Sequence, residues 1–212
     1  MNLIKNVNWN TFKINFKFFY SGFLISSSTI FIFFVLFYEN ASLNNFTILK
    51  QLKILLTCFS GAFFEEIIFT YTIFSFLKKY FKLSSAILIT SSIFALLHLG
   101  NSHSSYISTI SHFFGSIVYI FAFILSKNIF TSIGLHFGWN YTQIFYSQPM
   151  SGTIKEGFIH ISLPDNGTWF GGDYGIEGGI YSIILRLLLI VILFIYYKKH
   201  IINNYFKKYV FS

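Results

Sequence analysis

Residues 61–70 read GAFFEEIIFT, and that stretch decides how the rest of the chain is understood. Glu65 and Glu66 stand side by side in a run apolar enough to cross a membrane. A carboxylate near the middle of a bilayer costs about 2.5–3.5 kcal/mol on insertion scales, so ionisable residues there are functional candidates. Two further polar islands share the setting: His98 in FALLHLG (94–100), and His136 with Asn140 in GLHFGWN (134–140). The expected fold is therefore all-α, a polytopic membrane bundle of about six transmembrane helices around a polar chamber.

Composition agrees. The 212 residues are 54% hydrophobic and 22% aromatic, with mean hydropathy +0.63. Soluble domains average about 25% charged residues, whereas this chain has 10%. A single domain over residues 1–212 accounts for all of it, with the chemistry-bearing motifs between about 50 and 185. The net charge of +8 does not point to nucleic acid, because the lysines flank apolar runs and do not line one soluble face. Anionic lipid headgroups and topology explain them better. Cys58 is the sole cysteine, so no intrachain disulfide can form, and it reads as a small buried apolar residue.

The apolar runs are expected at about 16–38, 52–77, 84–100, 105–125, 129–147 and 180–197. The first is too long for a signal-peptide core and lacks a small-x-small cleavage site, so it reads as a retained span. Six spans put both termini on one side. That side collects Lys5, Lys13, Lys17, Lys78, Lys79, Lys82, Lys127, Lys198, Lys199, Lys207 and Lys208, eleven in all. The other side has Lys50, Lys53 and Lys155, with the acids Glu156, Asp165, Asp173 and Glu177. The positive-inside rule makes both termini cytoplasmic. The protein is expected in a bacterial cell membrane. The one long loop, 148–178, is Gly-rich and is expected to be a flexible external rim. It is no phosphate cradle, lacking the G-K-[ST] ending.

Adjacent helical residues point about 100° apart, so one glutamate can face a cavity while the other is held elsewhere. His136 and Asn140, four apart, share a helix face. A chamber between the second, third and fifth spans would collect a carboxylate, two imidazoles and an amide. A desolvated carboxylate can take a proton from water, and imidazole and amide groups can donate to an oxyanion. No Ser or Cys is placed as a nucleophile. The same Glu65, His98 and His136 are also of the types that bind zinc. No cofactor is favoured, and zinc is the alternative. His112 suits a helix-packing donor as well as a functional role.

The order E-E-x-x-x-R, F-x-x-x-H, H-x-x-x-N across membrane helices resembles the CPBP intramembrane proteases, which include CAAX prenyl proteases, bacteriocin-processing enzymes and abortive-infection proteins. The matching residues are Glu65-Glu66, Phe94 to His98, and His136 to Asn140. The resemblance implies endopeptidase activity on a membrane-tethered protein or peptide. It implies that Glu65 and His98 activate water, that His136 and Asn140 line the oxyanion site, and that Glu66 supports them. Where the family has Arg, this chain has Thr70. The only arginine, Arg186, is expected to reach Glu66 or Glu65 and replace that cation. A non-catalytic relative acting in bacteriocin self-immunity or maturation is the competing reading. A cation-coupled transporter is a third, disfavoured because no broken-helix pair or inverted repeat is visible.

Overall fold

A computed structural model of the chain describes residues 9–36, 41–45, 47–153, 156–164 and 167–210. Lys5, Lys155 and Asp165, which entered the charge count, lie outside them. The architecture is all-α, as expected. Helix α1 is Trp9–Val35, α2 is Ile48–Glu65, α3 is Ser75–Tyr80, α4 is Leu83–Leu97, α5 is Tyr106–Ser126 and α6 is Ile129–Phe145. A short α7, Gly167–Phe170, precedes α8, Ile180–Val210. Among the described residues, three stretches are long and apolar enough to cross a membrane: Asn10–Val35, Leu83–Gly100 and Tyr106–Ser126. Ile180–Ile195 is apolar but shorter.

Helix starts follow local chemistry. Ser105 and Ser108 form a reciprocal capping box that opens α5, and the Asn128 side chain accepts from the Phe130 amide to open α6. Each satisfies amides that have no partner within their own helix. Between α2 and α3 the chain stays helical but widens into a π-helix over Glu66–Phe74. Thr72 Oγ1 donates to the Ile67 carbonyl five residues back, at 2.8 Å. Such π segments concentrate at functional sites, and this one begins at the glutamate pair.

Helix α6 is the centre of the bundle. Thirteen of its seventeen residues are buried, and α1, α2 and α5 surround it. A helix apolar or buried on all sides belongs inside a protein. Its intimacy with α1 comes from missing side chains. A Cβ at Gly134 would overlap the Phe19 carbonyl, one at Gly138 would meet the Phe23 carbonyl, and one at Gly22 of α1 would overlap the Thr131 carbonyl. Small residues four apart allow this backbone approach in membrane bundles.

The loop expected as a flexible rim is instead folded. Strand β1, Ala41–Leu43, pairs antiparallel with β2, Ile159–Ile161, in the register Ala41↔Ile161 and Leu43↔Ile159. Asn44 Nδ2 donates to Ser147 Oγ at 2.8 Å and to the Gly157 carbonyl at 3.1 Å. Lys50 pairs with Glu156. Two 3₁₀ turns, Gly172–Tyr174 and Ile176–Gly178, bury Tyr174, Ile176 and Glu177. Gly175, at φ +91, permits the tight passage past the Pro149 carbonyl that a side chain would block. The glycines read as flexibility are what let the segment pack.

Gly134→Leu should disrupt the bundle, because the obstructing atoms are backbone and cannot yield. A loss of more than about 3 kcal/mol is expected, read as denaturant or thermal unfolding in micelles. Gly61→Leu, where nothing lies within 4 Å of a Cβ, should change little by comparison.

Candidate active site

The π-helix junction turns the two glutamates to different duties. Glu66 is 1% exposed, and both its oxygens are occupied. Thr70 Oγ1 donates to Oε2 at 2.7 Å, and His136 Nδ1 lies 2.8 Å from Oε1. Against an ionised carboxylate His136 Nδ1–H is the donor, which leaves Nε2 pointing the other way. Glu65 has a 35% exposed side chain and lines a cavity of about 350 Å³. Its Oε2 is buried without a hydrogen-bond partner among the described residues. His136 Nε2 stands 3.8 Å from that oxygen, and His98 Nε2 stands 4.0 Å from it. His98 is oriented by its other nitrogen, Nδ1, which donates to the Phe94 carbonyl at 2.7 Å.

Thus Glu65, His98, His136 and Asn140 meet at one cavity. The gaps from Glu65 to the two imidazoles are too long for direct hydrogen bonds and are of the size that one water bridges. The rings are fixed by stacking as well. Tyr119 lies on His136 with centroids 4.3 Å apart and 10° between planes. His112 lies on His98 at 4.0 Å.

The zinc alternative can be weighed on this geometry. Ligands about 2.0–2.2 Å from a tetrahedral zinc stand roughly 3.3 Å apart. The spacings here are 3.8 and 4.0 Å, and no group of three His, Cys, Asp or Glu among the described residues is arranged to hold a metal ion. As placed, these side chains stand wider apart than the ligands of a tetrahedral zinc.

Arg186 is not where the sequence reading put it. It does not reach either member of the glutamate pair. Its Nη2 donates to Glu177 Oε1 at 2.9 Å and its Nη1 to Ser111 Oγ at 2.6 Å. The guanidinium lies over Trp139 at 4.6 Å. Gly115 leaves it room, since a Cβ there would come within 2.9 Å of Cζ. The reason is proximity and need. Glu177 is 2% exposed and also takes the Trp139 indole N–H at 2.9 Å and the Ser151 hydroxyl at 2.8 Å. A buried carboxylate so placed claims the guanidinium nine residues along the chain, and Glu66 is already satisfied by Thr70 and His136.

Glu177 and His112 both line the cavity; the sequence reading placed Glu177 among external acids and left His112 open. His112 Nε2 and the Tyr174 hydroxyl are 2.7 Å apart, joining α5 to the folded cap. Burial, and secondarily the charge of Glu177, push the Tyr174 phenol up to about 12. A phenol raised in the folded state contributes stability that is complete below the usual value of about 10 and fades as pH rises through about 12. The available signal was the lone arginine, which had to find a carboxylate at membrane depth.

The fold and site together define an all-helical bundle with helices apolar enough to cross a membrane and a cavity lined by carboxylate and imidazole groups. Residues 45–142 match the family described as Rce1-like, type II CAAX prenyl endopeptidase. Over that stretch, which is a little under half of the chain, the sequence is similar to the CAAX-type intramembrane proteases, in line with the resemblance read from Glu65-Glu66, His98 and His136. The match spans α2 through most of α6, so it includes Glu65, Glu66, His98, His112, His136 and Asn140, and leaves out Glu177 and Arg186. No curated protein and no solved structure matches the chain significantly.

Arg186→Leu should cost roughly 3–5 kcal/mol, because it strands a buried carboxylate. Adding Thr70→Arg should restore none of that loss, whereas Arg186→Met combined with Glu177→Gln should recover much of it. Unfolding of the purified variants in micelles measures each step.

Proposed function

We propose that the protein is an intramembrane endopeptidase that cleaves a membrane-tethered protein or peptide by water activated at Glu65. The observation that carries this reading is Oε2 of Glu65, which has no hydrogen-bond partner among the described residues and belongs to a side chain lining the cavity, with the Nε2 atoms of two imidazoles 3.8 and 4.0 Å away. A water held there hydrogen-bonds to Glu65 and to His98. Glu65 removes its proton as the water oxygen attacks the scissile carbonyl carbon. The carbon becomes tetrahedral, and its oxygen takes up negative charge. His136 Nε2–H and the Asn140 amide donate to that oxygen. The proton on Glu65 passes to the departing amine, the C–N bond breaks, and a carboxyl product is left.

The supporting groups have defined tasks. For His136 to donate from Nε2 while Nδ1–H is engaged by Glu66, it acts as an imidazolium. Glu66 is the counter-charge that makes this possible in a dry site. His136 therefore supplies the positive charge that the glutamate pair requires, and Thr70 donates to the other oxygen of Glu66. The Thr70 substitution then calls for no distant arginine. The Glu177–Arg186 pair holds Ser151 and the cap at the cavity mouth.

Glu65→Gln should lower peptide hydrolysis at least about a hundredfold while leaving unfolding unchanged, since general-base catalysis contributes roughly 10²–10⁴-fold. The readout is accumulation of an uncleaved precursor in native membranes, compared by proteomics with the wild type. Unimpaired processing would favour a non-catalytic role in self-immunity or maturation. Chelator treatment should leave activity intact. Stoichiometric zinc in active, chelator-sensitive protein would replace the Glu65-activated water with a metal mechanism.

We further propose six spans with both termini cytoplasmic and the 41–45 and 147–179 segments external, on the strength of the eleven-to-three lysine asymmetry. Reporter fusions at Asn45, Ser102 and Gly167 should read external, and those at Lys79, Lys127 and Lys207 cytoplasmic. Termini on opposite sides would contradict this topology.

A further inference from the structure

A second cavity lies at the other end of the bundle from the cap. It has a volume of about 550 Å³ and is lined by Phe74, Ser75, Lys78, Lys79, Phe123, Ile124 and Lys127. Lys78 and Lys79 sit in the last turn of α3, and Lys127 caps α5. Lysines at helix C-termini often serve the last carbonyls. Here no hydrogen bond or ion pair joins any of the three ammonium groups to another described residue. Lys127 adds a backbone clue. It holds φ 56 and ψ 25, the left-handed region. Glycine or asparagine would end the helix there more comfortably, so the position keeps a cationic side chain in spite of its backbone. The floor beneath the cations is apolar, made of Phe74, Phe123 and Ile124.

We propose that this cleft binds an anionic phospholipid, with the phosphodiester headgroup between Lys78, Lys79 and Lys127 and the start of an acyl chain on Phe123 and Ile124. Three cations without a carboxylate above an apolar floor match the two halves of such a molecule. Basic pockets between helices on the lysine-rich side of a membrane protein recognise phosphate-bearing headgroups in this way. Ser75, at the rim, can donate to a phosphate oxygen. The cleft is also placed to matter, because α3 continues the helix that carries Glu65 and Glu66. The inference does not depend on the catalytic reading.

Native mass spectrometry of the full chain, released from micelles doped with phosphatidylglycerol or phosphatidylcholine, tests it. One phosphatidylglycerol should be retained in preference to phosphatidylcholine. The Lys78→Gln/Lys79→Gln/Lys127→Gln variant should bind it at least about tenfold more weakly, since a lysine near an anionic surface contributes about fivefold. The charge-matched Lys13→Gln/Lys17→Gln/Lys53→Gln variant should retain it. Equal loss in that control would show diffuse attraction and overturn the site. Equal retention of phosphatidylcholine would show an apolar seat alone. Displacement by millimolar inorganic phosphate would assign the cleft to a soluble phosphate compound and overturn the lipid.

Discussion

A carboxylate inside an apolar helical bundle has to be satisfied by the protein, and the arrangement around Glu66 follows from that constraint. Buried from solvent, its two oxygens take a hydroxyl from Thr70 and an imidazole N–H from His136. The first partner comes from the next turn of the same helix, the second from the central helix α6. Satisfying Glu66 therefore ties the start of the π-helix to α6. It also fixes the direction of the His136 ring, and so aims Nε2 at Glu65. The ring that faces the cavity gains its orientation from the carboxylate that is hidden.

The same rule operates a second time in the molecule. Glu177 and Arg186 are almost fully buried, and each would carry a heavy penalty without the other. Their network of Ser111, Ser151 and Trp139 joins α5, α6, α8 and the cap. Two separate carboxylate clusters, each electrically answered within a few ångströms, flank one cavity. Neither borrows from the other, which explains why the only arginine is absent from the glutamate pair.

Close packing makes this positioning accurate. Gly22, Gly134 and Gly138 let α1 and α6 approach to backbone contact, and stacking of Tyr119 on His136 and His112 on His98 leaves little freedom for ring rotation. A catalytic or binding constellation needs its groups held to within about 0.5 Å, and a core helix buried on nearly every side can provide this. The folded cap, tied down by the β1–β2 pair, contributes Met150, Ser151, Thr153 and Glu177 to the wall of the chamber that also holds His98.

The sequence by itself determined that the chain is an all-α bundle of apolar helices, because hydropathy and sparse charge allow little else. It also marked Glu65, Glu66, His98, His136 and Asn140 as belonging together, because polar side chains at membrane depth are expensive enough to stand out singly. Spacing along one helix is local and was readable, as with His136 and Asn140. Contacts across helices are not local, and there the tertiary structure decided. It assigned Glu66 to Thr70 and His136, and gave Arg186 to Glu177. It folded the glycine-rich loop, whose φ-positive turns look in sequence like flexibility. It brought His112 into the cavity, a residue whose helix position alone fits packing equally well. The physical reason is common to all four. Which partner a buried charge finds depends on which helix faces turn toward each other, and a one-dimensional pattern does not contain that rotation.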